Sequence, residues 1–157
     1  MSATDDLDQL AAAFVTASRA LIGIAIRSVQ AAPVEVTVPQ HRVLVLLASK
    51  GTQSVGTIAQ QLGVNPSNAT RVCDRLQRLG LIARSRSARD GRAVEVSITA
   101  DGQALVETVN AHRVAEVSRL LQDMPPDLRP AALTAMREFS RAAEERPEID
   151  GTAAASW

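Results

Sequence analysis

Two short helical patterns separated by a tight turn constrain the fold of this chain more than any other feature. "SVGTIAQQLG" has Ser54 or Thr57 as candidate N-caps and carries its apolar residues on one face. "NPSNATRVCDRLQRLG" has Asn65 at its N-cap, Pro66 at its first helical position and Gly80 as its terminator. A short helix, a glycine-containing turn and a second helix are typical of a helix-turn-helix.

A β-hairpin is predicted immediately after the second helix. "RAVEVSI" alternates the apolar residues Val94, Val96 and Ile98 with polar ones, which is the period of a half-buried strand. The run "LIARSRS" precedes it, and Asp90-Gly91 between the two runs favours a tight turn. A hairpin that follows a helix-turn-helix directly is the wing of a winged helix.

Longer helices are predicted on both sides of the winged helix. Apolar residues recur at three- and four-residue steps from Asp6 to Ala31, and Pro39 opens a further helix that ends at Gly51. Thr99 is expected to cap a long helix after the hairpin, and Asp127 to cap the last one. The predicted fold class is mainly α, a winged helix-turn-helix with a small β-hairpin wing and long N- and C-terminal helices.

Positive charge is concentrated around the predicted hairpin, although the formal net charge of the 157 residues is zero. Residues 66–94 contain seven arginines and two aspartates, whereas residues 95–157 contain six arginines and eleven acidic residues. Arginine suits bidentate contacts with phosphates and base edges. Because a solvated surface patch could have the same composition, the local structure must decide between the two interpretations.

The second helix of the pair is predicted to bind DNA with its polar face. An α-helix fits the major groove of B-DNA and meets the base edges with its N-terminal residues. Arg71 suits a bidentate contact with guanine and Asn68 one with adenine, whereas Arg75 lies further along, where phosphates are expected. The predicted DNA contacts on this helix are Ser67, Asn68, Thr70, Arg71 and Arg75.

The hairpin supplies a second set of predicted DNA contacts. Arg89 lies at its tip and suits a narrow minor groove, whose negative potential is enhanced. Arg84, Arg86 and Arg92 are placed to contact the DNA backbone on either side. The two sets together favour double-stranded DNA over the alternative, a winged-helix protein-interaction module in which the arginines are only a solvated face.

The sequence lacks motifs that are typical of other classes of protein. It contains no P-loop and no glycine-rich dinucleotide loop after a strand, so neither an enzyme nor a cofactor is expected. His41 and His112 are far apart and lack ligand spacing, so no metal site is expected. Cys73 falls on the apolar face of its helix, where a small buried hydrophobe is the expected role.

The sequence also bears on the cellular compartment. A single cysteine is compatible with reducing conditions, and the acidic start "MSATDDLDQL" does not resemble a signal peptide. No apolar run is expected to approach the roughly 20 residues that span a bilayer. A cytoplasmic protein without a membrane partner is therefore expected.

The chain resembles the MarR family of bacterial regulators over about residues 6–146. The resemblance lies in "VTVPQHRVLVLLASKG" and in "SVGTIAQQLGVNPSNATRVCDRLQRLGLIARSRSARDGRAVEVSITADG", and its most specific part is "ARDGRAVEVSITADG" after "TRVCDRLQRLGLI". The family's wing commonly reads Asp-x-Arg-Asp. Here Ser87 replaces the first Asp, whereas Arg89 and Asp90 match.

The resemblance implies a homodimeric repressor that is released from DNA by a small molecule. A palindromic operator requires two reading helices about one DNA turn apart, roughly 34–36 Å, so the outer helices are expected to pair with a second subunit. A small aromatic or lipophilic effector is expected in a cleft with Phe14, His41 and Leu44 in its wall; relatives often have an aromatic residue at the position of His41. The predicted regions are an N-terminal dimerisation helix (1–36), a DNA-binding winged helix-turn-helix lobe (37–100), C-terminal dimerisation helices (101–146) and a flexible tail (147–157).

Overall fold

The computed structural model describes residues 3–86 and 94–143, except for the side chains of residues 3 and 4. Over these ranges the chain is mainly helical, with three short strands and one 3₁₀ turn at Pro126–Leu128. In chain order the elements are α1 (Ala3–Gln30), α2 (Val38–Lys50), β1 (Gln53–Ser54), α3 (Val55–Leu62), α4 (Pro66–Arg78), β2 (Ile82–Arg86), β3 (Val94–Ile98), α5 (Ala100–Gln122) and α6 (Arg129–Ala142).

Polar caps define where the helices of the winged-helix lobe begin. At α2 a capping box forms, in which the backbone N–H groups of Gln40 and Thr37 each donate to the other residue's side chain, at 3.4 and 2.9 Å. Ser54, rather than Thr57, caps α3 and accepts a hydrogen bond of 3.1 Å from the backbone N–H of Thr57. Asn65 caps α4 as predicted, since its side-chain oxygen accepts from the backbone N–H of Asn68 at 2.8 Å.

The wing strands belong to a three-stranded antiparallel sheet in the order β1-β3-β2. The predicted pairing of the two long strands is confirmed, with Ile82 opposite Ile98 at the base. The predicted turn at Asp90-Gly91 lies outside the described residues. Strand β1 is not predicted from the sequence, because two residues are too few to show an alternating pattern and the partner of Gln53, Val96, lies more than forty positions away.

The base of the wing is fastened to the first turn of α5. Gly80 adopts a positive φ of 74° and turns the chain from α4 into β2. The Thr99 hydroxyl donates to the Gly80 carbonyl at 2.7 Å and also caps α5 by accepting from the Gly102 N–H at 3.1 Å. A Cβ at Gly102 would collide with the carbonyl oxygen of Leu81, so this close approach requires glycine. These contacts fix the orientation of the wing stem.

The core lies where α2, α3, α4, β3 and α5 meet. Burial of large aliphatic side chains is the main stabilising contribution here, at roughly 1.5–3 kcal/mol each. Fully buried members with an exposed fraction of 1% or less are Val43, Leu44, Leu47, Ile58, Leu76, Val96, Val106 and Val109. The core continues to α1 through Val29, and α1 also contacts α5 through Arg27, which pairs with Glu116 at 3.4 Å.

The predicted cap of the last helix is wrong. Asp127 lies in the 3₁₀ turn, Leu128 occupies the N-cap position of α6, and no side-chain cap forms there. Arg129 instead donates to the carbonyl oxygens of Met124 and Gln122 at 3.1 and 3.2 Å. In the connection between α5 and α6, a guanidinium group therefore satisfies carbonyl groups at the end of α5.

The expectation that no segment approaches the length of a membrane span is also corrected. Asp5–Gln30 is long and apolar enough to cross a bilayer by length and composition alone, with a mean hydropathy of 1.6 over its most apolar window. The sequence pattern hid this because Thr16, Ser18 and Arg19 interrupt the apolar residues. Little of this helix is buried within the chain, and an interface helix that awaits a partner has the same composition.

Candidate nucleic-acid interface

Helix α4 presents opposite faces to the core and to solvent. Ala69, Cys73 and Leu76 are completely buried, as the apolar face of the sequence predicts. The cap at Asn65 and the proline after it begin the helix, so the residues of the first turns are held at a defined end of the lobe. The exposed face carries Ser67, Asn68, Thr70, Arg71, Arg75 and Arg78.

The polar groups of this exposed face differ in how they are engaged. The Thr70 hydroxyl donates to the Pro66 carbonyl at 2.9 Å, so its lone pairs are directed outward as acceptors. The side chains of Asn68 and Arg71 lie one turn apart on the exposed surface. This spacing allows both to reach one groove of a DNA duplex.

Strand β2 places one arginine against α4 and exposes another. The Arg84 Nη1 lies 2.6 Å from the Asp74 Oδ1 and donates to the Gln77 Oε1 at 3.1 Å. Arg86, two residues further along, is exposed. The other predicted contacts of the hairpin, Arg89 and Arg92, lie outside the described residues, as do Ser87 and Asp90.

The engagement of Arg84 by Asp74 and Gln77 was missed by the sequence analysis. An acidic residue within an otherwise cationic helix face is the feature that could have indicated it, because such a residue needs a partner. The guanidinium of Arg84 also acts on the adjacent buried thiol: burial raises the pKa of Cys73, and Arg84 partly opposes this. A buried thiol with a raised pKa has little thiolate character, which fits the predicted packing role.

A cavity of about 520 Å³ lies between α1, α2 and α5. His41 lines it and is 3% exposed, and its Nε2 has no hydrogen-bond partner among the described residues. Burial, followed by the positive charge of Arg113, lowers the pKa of His41 from 6.5 to about 4, so the imidazole is neutral at physiological pH. The wall combines aliphatic side chains with the cations Arg42, Lys50 and Arg113.

The three residues predicted for an effector cleft do not share one cavity. His41 lines the cavity described above, whereas Leu44 is completely buried in the core. The Phe14 ring packs on Phe139 of α6, with 4.6 Å between ring centroids. Within residues 3–86 and 94–143, no group of three or more His, Cys, Asp or Glu side chains is arranged to hold a metal ion.

These features define a winged-helix DNA-binding protein, in which α3 and α4 form the helix-turn-helix and β2 and β3 form the wing stem. Residues 36–94 match the model of the MarR family. The HTH-type transcriptional repressor MdtR of Bacillus subtilis is 36% identical over 69% of this chain and 70% of its own. The uncharacterized HTH-type transcriptional regulator YfiV of the same organism is 32% identical over 70% of this chain and 69% of its own.

A solved structure supports the same assignment over nearly the whole chain. The crystal structure of RV1404 from Mycobacterium tuberculosis superposes with a TM-score of 0.82 at 33% sequence identity, and covers 90% of this chain and 96% of its own. The chain belongs to the MarR family. It is a helix-turn-helix transcriptional regulator and not an enzyme.

Proposed function

We propose that the protein is a cytoplasmic repressor that binds a pseudo-palindromic operator as a homodimer and leaves it when a small molecule binds. The observation that carries this proposal is the exposed cationic face of α4 beside the wing stem. Because Arg84 touches Asp74, β2 lies against the polar side of α4. Arg86 lies on the same face of the strand as Arg84, so it extends the cationic surface of α4 towards the wing.

Direct readout of sequence belongs to the start of α4. Asn68 and Arg71 are exposed there and suit adenine and guanine edges in the major groove, with Ser67 and Thr70 beside them. Arg75 and Arg86 suit phosphates, and Arg89 and Arg92 of the hairpin would extend the contact to the minor groove and backbone. If each subunit neutralises about four phosphates, log K should fall with log salt at a slope near −7 for the dimer.

The outer helices supply the surface for the second subunit. Twelve large apolar side chains on α1, α5 and α6 remain 41–65% exposed in the single chain. Extensive exposed apolar surface marks an interaction site. The residues concerned are Leu7, Leu10, Val15, Leu21, Ile22, Ile26, Val114, Leu120, Leu121, Leu133, Met136 and Phe139.

The cavity beside His41 is the proposed effector site. Its volume suits a small aromatic or lipophilic molecule, and its aliphatic wall suits an apolar body. Lys50 adds a positive charge to the wall of the cavity, so an acidic group on the effector is favoured. A ligand that binds better to a DNA-incompetent spacing of the two reading helices would release the operator by its differential affinity.

Repression is the favoured direction of regulation because MdtR, which is 36% identical, is named a transcriptional repressor. The MarR family consists of DNA-binding regulators, which supports a cytoplasmic location. Phe14 and Leu44, the other two residues predicted for the effector site, are not among the residues that line this cavity.

The test is a fluorescence titration of DNA from beside the protein's own gene at several salt concentrations. We expect a dimer per site, preference over scrambled DNA and a steep salt slope. Arg71→Ala and Arg89→Ala should each weaken binding by roughly 10- to 100-fold, whereas Arg137→Ala on the exposed face of α6 should not. If the protein binds every DNA sequence equally weakly, and both substitutions leave this binding unchanged, a protein-interaction module is favoured instead.

A further inference from the structure

We propose that Arg84 is a positioning residue that joins the reading helix α4 to the wing, and that it is not a phosphate ligand. Through Asp74 and Gln77 it would fix the distance between the two elements that read DNA. This inference rests on the proposed docking of α4 and the wing on one duplex.

The geometry of Arg84 favours an internal role. Its side chain is 25% exposed, and Nη1 is directed at two acceptors of α4, the Asp74 carboxylate at 2.6 Å and the Gln77 amide oxygen at 3.1 Å. Asp74 and Gln77 are three residues apart and therefore neighbours on one side of the helix. One guanidinium thus holds two successive positions of α4.

Arg84 acts where the hairpin leaves the core. It lies opposite Val96, which is completely buried, whereas the next outward pair on the same face joins Arg86 to Val94, which is 47% exposed. Beyond Arg84 the core no longer holds the two strands. The contact with α4 therefore holds β2 at the level where the core ends, while the pairing of Ser54 with Glu95 holds β3 from the other edge of the sheet.

The position of Asp74 is explained by the same arrangement. A carboxylate on the DNA-facing helix should repel phosphates, so on charge alone its loss should strengthen DNA binding. If Asp74 instead holds Arg84 and the wing in place, its loss should weaken binding. Because the Asp74 side chain is 42% exposed, the ion pair contributes little to folding stability, and its consequence should be found in geometry and DNA affinity.

Four variants separate the two roles in DNA titrations over a range of salt concentrations. Arg84→Met keeps the aliphatic stem and removes the guanidinium, and Arg86→Met is the matched control on the same strand face. Asp74→Asn removes only the charge of the acceptor. The charge-swapped double variant D74R/R84D restores the pair with reversed polarity.

We expect Arg84→Met and Asp74→Asn each to weaken operator binding at least about tenfold without changing the salt slope. The control Arg86→Met should lower the magnitude of the slope by about two per dimer. The charge swap should recover a large part of the lost affinity. An Asp74→Asn variant that binds as tightly as the original, or an Arg84→Met variant whose slope falls as in the control, would overturn the proposal.

Amide hydrogen exchange without DNA tests the same contact independently. Exchange in β2 and β3 should become faster in Arg84→Met and Asp74→Asn, stay unchanged in Arg86→Met and slow again in the charge swap. If the original protein binds no specific DNA but these exchange changes occur, the proposed docking fails and the fastening of the wing stands. Unchanged exchange in all variants overturns the fastening itself.

Discussion

The winged-helix lobe and the outer helices of this regulator use their apolar residues in opposite ways. In the lobe, Leu44, Ile58 and Leu76 are completely buried. In the outer helices, Leu7 is 65% and Phe139 54% exposed. None of the fourteen described residues of α6 is buried. The lobe buries its apolar side chains within one chain, whereas the outer helices expose theirs to solvent.

Helix α5 contains both kinds of surface and shows where they meet. Its first half contributes Leu105, Val106 and Val109 to the core of the lobe, while Leu120 and Leu121 in its second half are exposed. A displacement of the outer helices can therefore reach the wing base along one continuous helix, since Thr99 and Gly102 tie its start to the wing stem. Folding stability therefore resides in the lobe, and the exposed apolar side chains of the outer helices are left for the proposed second subunit.

Phe139→Glu should prevent the proposed dimerisation through the outer helices, and it has the largest expected effect. A carboxylate placed in an apolar interface leaves an unpaired buried charge, so the dimer dissociation constant should rise by about 100-fold or more. Sedimentation equilibrium would show a monomer at concentrations where the original chain is a dimer. Val64→Glu, at a position 40% exposed in the lobe, is the control and should keep the original mass. A Phe139→Glu dimer of undiminished affinity would place the interface elsewhere.

Leu76→Ala and Leu133→Ala compare the two regions by stability. Leu76 is completely buried, so its truncation should cost roughly 2–5 kcal/mol in the free energy of unfolding. Leu133 is 52% exposed, and its truncation should cost less than about 0.5 kcal/mol in the monomer. Denaturant unfolding at several protein concentrations measures both.

The cost of Leu133→Ala should grow with protein concentration if the proposed dimer covers this side chain. The cost of Leu76→Ala should not depend on concentration in the same way. Equal concentration dependence for the two variants would remove the distinction between a self-contained lobe and a surface completed by a partner.

The features that the sequence predicts well depend on local chemistry. Asn65 and Thr99 cap their helices as predicted, because a short side-chain acceptor before a helical run satisfies a backbone N–H within three residues. The alternation around Val96 predicts the wing strand for the same kind of reason. The family resemblance agrees with the fold that these elements form.

The features that the sequence does not predict depend on contacts between distant residues. The strand pairing of Gln53 with Val96 has too little local pattern to detect. The contact of Arg84 with Asp74 can be predicted only if the packing of β2 on α4 is known. From the sequence alone, this arginine is interpreted as a DNA contact. Likewise, His41 and Leu44 lie about one helical turn apart on α2, and only the packing shows that His41 lines the cavity whereas Leu44 is buried in the core.

The pH dependence of stability tests His41, which lines the cavity where the lobe meets the outer helices. Its expected effect is the smallest of the three predicted here. Burial and Arg113 lower the pKa of His41 from 6.5 to about 4, so the unfolded chain binds a proton between these values that the folded chain does not. Stability should therefore be complete above pH 6.5 and decrease as the pH falls towards 4. The contribution lost between pH 7 and pH 5 should be about 2 kcal/mol.

His41→Phe should remove this contribution, because an aromatic ring fills the site without a titrating group. Gln61→Ala, which changes a neutral residue that lines the same cavity, is the control and should keep the original dependence on pH. Urea unfolding at pH 5 and pH 7 measures the difference for each variant. If His41→Phe loses as much stability at pH 5 as the original chain does, the imidazole is not held neutral by its burial beside Arg113. The cavity wall would then carry one more positive charge than its structure implies, and acidic effectors would gain affinity at low pH.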